Sequence, residues 1–84
     1  MKIPKTLKVG AITYEVRLVK MKSAGEILRE CNIIKINNNL SLEQKWEAVF
    51  HELVHALCWE LKEKEVELFA QGFYAVLKDN DLLK

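Results

Sequence analysis

From Ile12 to Leu18 the chain alternates. Ile12, Tyr14, Val16 and Leu18 are apolar, and Thr13, Glu15 and Arg17 between them are polar. A period of two, rich in β-branched and aromatic side chains, predicts a strand with one face buried. Leu7-Lys8-Val9 predicts a shorter strand before it, with Gly10-Ala11 turning the chain. Lys20 to Gly25 predicts a loop, Glu26 to Glu30 a weaker strand, Cys31-Asn32 a turn, and Ile33 to Asn37 a further strand. Asn37-Asn38-Asn39 ends the strand-rich region.

Beyond Asn39 the period becomes helical. Leu42, Trp46, Val49, Phe50, Leu53 and Leu57 fall on one apolar stripe. Ser41 precedes it as an N-cap, and Gln44 completes a capping-box pattern. The opposite face carries Ala48, His51, His55 and Cys58. Ala48 and Cys58 are not solvating residues, so this helix is expected to lie between the sheet and a second helix. Charge thickens from Glu60 to Glu65, which predicts the connection. A second helix then runs to about Lys78, with Glu63, Val66, Glu67, Ala70, Phe73, Tyr74 and Leu77 on its stripe and Asn80 as its C-cap. Gly72 costs about 1 kcal/mol there relative to Ala, and a close helix crossing would give it a reason. The expected fold is α+β: a small antiparallel or mixed sheet of about three or four strands, an HExxH-bearing helix and a second helix, in one domain over residues 1–84.

Composition narrows the function classes. The chain has 84 residues, 50% of them hydrophobic and 30% charged, which suits a folded domain rather than a disordered one. A domain this small has a thin core, so a metal or other staple would matter. Thirteen basic residues against twelve acidic give a net charge of +1, so neither nucleic acid nor an anionic membrane is an expected partner. No signal-peptide pattern or long apolar run is visible, and Cys31 and Cys58 lack CxxC-type spacing. A cytoplasmic protein with free thiols is the expectation.

The chemistry gathers at His51-Glu52-Leu53-Val54-His55, an HExxH motif in mid-helix. Spacing of i and i+4 sets both imidazoles on one face, one turn apart, where two nitrogens can share a tetrahedral ion. Glu52 sits about 100° round the helix from His51. From there it reaches a water held by the ion better than the ion itself, which is the arrangement of a zinc hydrolase with a glutamate base. The only two histidines of the chain both lie in this motif. A catalytic zinc needs a third protein ligand. A helical hairpin turning near Leu61-Lys62 returns Glu67 to the level of His55, so Glu67 is the first candidate. Glu63, one turn nearer the hairpin, is the alternative, followed by Glu60, Glu65 and Cys58.

Strands, then HELVH, then a helix with a glutamate and an FAxxxY-like stripe resemble the minimal zincin metallopeptidases. The segments IPKTLKVGAITYEV, VFHELVHAL and VELFAQGFYAVLKDN resemble the small phage- and prophage-encoded proteins of the ImmA/IrrE-like group. The resemblance implies a peptidase fold with His51, His55 and a downstream glutamate on Zn2+, Glu52 as base, and a bacterial host cytoplasm as the compartment. Matching the ExxANxFA stretch of the larger relatives sets Glu63 at the ligand position and Glu67 at the Asn, against the hairpin argument. The substrate implied is a peptide or protein, such as a repressor or a host protein. An edge strand such as Ile33 to Asn37 would align it by β-augmentation. Tyr14 and Tyr74 are candidate oxyanion stabilisers, although buried tyrosines more often serve the core. Two other readings compete with the enzyme: a zinc-stapled binding module with little turnover, and a metal-free domain in which HELVH is fortuitous.

Overall fold

The computed structural model describes residues 2–83. Its elements are β1 (Thr6–Val9), β2 (Ile12–Val19), β3 (Gly25–Leu28), β4 (Ile33–Asn37), α1 (Leu42–Leu57) and α2 (Glu63–Asp79). The four strands form one mixed sheet in the order β1-β2-β4-β3, and the α+β fold expected from the pattern is the one observed.

Val9 pairs with Ile12 across the β1–β2 hairpin, which leaves Gly10-Ala11 to make the turn. Gly10 has φ +63°, a left-handed conformation that costs glycine nothing. The chain then passes to the far edge, forms β3, and returns as β4 between β2 and β3. β4 is parallel to β2 and antiparallel to β3. Ile33 to Asn37 is therefore an interior strand, and the expectation that it aligns a peptide as an edge strand is overturned. Its Ile33-Ile34-Lys35-Ile36 run is nearly continuous in apolar residues, as an interior strand requires, and Ile34 and Ile36 are fully buried. The edge strands are β1 and β3, and of the two β3 lies more closely against α1.

Tyr14, Val16, Ile34 and Ile36 meet Ala48 and Val49 of α1 in the core. The second helix packs on α1 and, among the described residues, on no strand. α1 is thus covered by the sheet on one side and by α2 on the other, as its two half-apolar faces predict. Ser41 caps α1 through the full capping box: its Oγ accepts from the Gln44 N–H, and the Gln44 side chain accepts from the Ser41 N–H. Asn37 fixes the segment before β3. Its Nδ2 donates to the carbonyls of Met21 and Ser23, and its Oδ1 accepts from the Asn39 N–H. That network holds residues 21–25 beside the helix that carries the motif.

Candidate metal centre

The helix α1 ends at Leu57, with Cys58 as its C-cap, so the connection starts before the Glu60 to Glu65 stretch expected for it. The reversal is complete by Lys62, and Glu63 is the first residue of α2. Nε2 of His51 lies 2.5 Å from Oε1 of Glu63, and Nε2 of His55 lies 3.1 Å from Oε2. One atom from each of the three residues can be chosen so that all lie within 4.8 Å of one another. The imidazole rings stand 5.0 Å apart.

These residues are the group among those described that could hold a metal ion. The donor chemistry fits. Two imidazole nitrogens and a carboxylate suit zinc better than magnesium or calcium, which favour all-oxygen shells. Bonds of about 2.0–2.1 Å in a tetrahedron separate ligand atoms by roughly 3.3 Å, which small side-chain shifts from the observed spacing satisfy. All three side chains can reach water: the histidines are about four-fifths covered, while Glu63 is mostly exposed.

Glu67 is not in this group. It lies one turn further along α2 and lines the groove of about 400 Å³ that opens beside His51, Glu52 and Glu63. Counting residues equally about Leu61-Lys62 treats the connection as if it were helix. Residues 58–62 do not continue either helix, so the first residue of α2 already reaches the histidines. The carboxylate of Glu65 accepts from the Lys62 N–H instead. Cys58 is an exposed free thiol outside the group.

The side chain of Glu52 points to the sheet side of α1 and is only 5% exposed. Gly25 of β3 makes room for it: a Cβ there would stand 3.2 Å from Oε2 of Glu52. Burial pushes the Glu52 carboxyl up to about 7; positive charge on His51 opposes the rise, and Glu63 and Glu26 add to it. A carboxylate with its pKa near neutrality can both take and give a proton.

Two residues with no assigned role in the sequence reading join the site from behind. The Trp59 indole stacks on the His55 ring at 6.3 Å between centroids, and the Arg29 guanidinium lies 3.9 Å above the Trp59 ring. The i, i+4 spacing from His55 to Trp59 was the available signal; nothing local pointed to Arg29, which arrives from the β3–β4 connection. Tyr14 lies in the core and Tyr74 packs against Phe50, and neither lines the groove beside the metal group.

Comparison with curated proteins and with solved structures gave no match. The profile of peptidase family M78, described as the IrrE N-terminal-like domain, matches residues 8–79. That span runs from β1 through the end of α2 and includes the HExxH motif, Glu63 and the β3 edge. With most of its length matched and a possible metal triad in place, this chain belongs to the IrrE N-terminal-like metallopeptidase family.

Proposed function

We propose that the protein is a zinc-dependent endopeptidase of phage or prophage type that hydrolyses an extended segment of a protein, such as a repressor or a host protein. The observation that carries this reading is the Glu52 carboxyl, buried beside a ready set of metal ligands and lining the same groove. Zinc bound by His51, His55 and Glu63 would supply Lewis acidity toward the scissile carbonyl and toward the attacking water. Glu52 accepts a proton from that water and passes it to the departing amine. Its enclosure between α1 and Gly25 fixes where the base stands. Stacking by Trp59 restrains the His55 ring. The outer side of β3 offers main-chain groups to an extended chain, and the shallow groove implies weak affinity for short peptides.

A second reading has its own support. Because α2, among the described elements, rests on α1 and on no strand, an ion joining His51 and His55 to Glu63 would staple the two helices whether or not turnover follows. A zinc-stabilised binding module would need the ligands but not Glu52. Incubating the zinc-loaded chain with an unfolded protein, with and without chelator, and reading the products by mass spectrometry separates the two. Cleavage confined to the zinc-loaded sample supports the peptidase. Intact substrate that nonetheless binds the loaded chain moves the assignment to the module.

A further inference from the structure

The face of α2 turned away from the metal group is largely apolar, and its large side chains stay exposed among the described residues. Leu68 is 74% exposed, Phe69 49%, Phe73 60% and Val76 56%. At 100° per residue these four and Gly72 fall within an arc of about 140°, with Gly72 near its middle. Glu63 and Glu67 point to the other side of the helix. Gly72 lies in the interior of α2, where glycine is unfavourable, and it is exposed. Among the described residues nothing lies within 4 Å of where its Cβ would stand, so no contact with them explains it.

We propose that α2 is a self-association surface, and that two copies of this chain cross helix on helix at Gly72. In a two-fold pairing each glycine provides the space that the other helix needs, so one residue answers the close approach from both sides. Phe69 lies three residues before Gly72 and Val76 four residues after it, so Phe69 of one copy packs beside Val76 of the second. Glu65 and Asp79 lie seven residues to either side, and parallel axes would set these like charges together. The helices therefore cross obliquely, at the angle of about 50° common in globular proteins, which parts the ends. Four side chains at this exposure offer roughly 400 Å² of apolar surface per copy. With a polar rim in the usual proportion the pair would bury about 1,300 Å² in all, at the low end of specific interfaces. The association is then weak, and it leaves the groove beside Glu52 open.

The test is the mass of the full chain by sedimentation equilibrium, up to about 300 µM, where even a Kd near 100 µM populates a dimer. The wild type is expected to rise from 9.8 kDa toward twice that value. Phe73→Glu should stay monomeric with an unchanged circular dichroism spectrum. Gly72→Ala is the sharper variant. It should raise the melting temperature of the dilute chain, because alanine favours the helix, yet weaken association at least tenfold, because the added methyl lies in the crossing. A wild type that stays at monomer mass throughout overturns the proposal, as does a Gly72→Ala chain that associates as tightly as the wild type. The first result would mean that another protein or segment covers the stripe.

Discussion

Glu52 and Glu63 are both glutamates near two histidines, and their surroundings give them opposite properties. Glu63 is exposed at the start of α2, with its carboxylate between the imidazoles. Glu52 is enclosed, and burial holds its proton to about pH 7. The HExxH spacing made His51, Glu52 and His55 legible as a set, because i and i+4 on a helix fix geometry locally. Which glutamate returns to them was not legible, since it depends on how the chain crosses residues 58–62. Glu63→Ala should weaken zinc binding by orders of magnitude while Glu67→Ala changes it little, as read by competition with a chelating dye. The reverse ranking would restore Glu67. Glu52 also sets a pH dependence in the metal-free chain. Its folded pKa lies above the reference value of 4.5, so burial costs nothing while both states are protonated. As pH rises from there through 7, the unfolded state loses its proton first and stability falls. The full cost, on the order of 3 kcal/mol, applies above pH 7. Metal-free Glu52→Gln should thus melt close to the wild type at pH 4 and roughly 15 °C above it at pH 8. An equal gap at both pH values would contradict the burial argument.

The two helices and most strand limits follow from periodicity and caps. Ser41 with Gln44 marks the start of α1, and Asn80 caps α2. Strand order was not legible, because period-two alternation says which face is buried and not which strand lies beside which. The insertion of β4 between β2 and β3 puts β3 at the edge and Gly25 against Glu52. A methyl at Gly25 would stand 3.2 Å from the Glu52 carboxylate, 3.2 Å from the Lys35 carbonyl oxygen and 3.3 Å from Cδ1 of Ile36. The Lys35 carbonyl belongs to the sheet and yields least, so the Glu52 side chain moves. Gly25→Ala should cost about 1–2 kcal/mol in stability. It should also lower proteolysis by about tenfold or more through the displaced base, while zinc affinity stays within about threefold. A variant with full activity would show that the close packing of β3 on Glu52 is not needed.

At the scale of the molecule, the layers are unequal. The sheet and α1 share the core, whereas α2 is attached, among the described elements, to α1 and to no strand, partly through Val66, Ala70 and Tyr74 and partly through Glu63 at the histidines. The Lys78–Glu43 ion pair at the other end is half-exposed and adds little. Thin-core composition made a staple plausible, but only the layer order shows which element it would hold. Chelation should lower the melting temperature and speed amide hydrogen exchange over residues 63–79, while β4 stays protected. Uniform loss of protection would mean that the metal supports the whole fold instead.

The central claim, that a zinc site with Glu52 as base cuts peptide bonds, meets its most direct test in one comparison. Zinc-loaded wild type and zinc-loaded Glu52→Gln, matched in metal content and circular dichroism, are each given the same unfolded protein, and the initial cleavage rate is read by mass spectrometry. Glu52→Gln is expected to keep one zinc per chain and to lose about 10²- to 10⁴-fold in rate. Equal rates from the two proteins, or no cleavage by a zinc-loaded wild type, would contradict it.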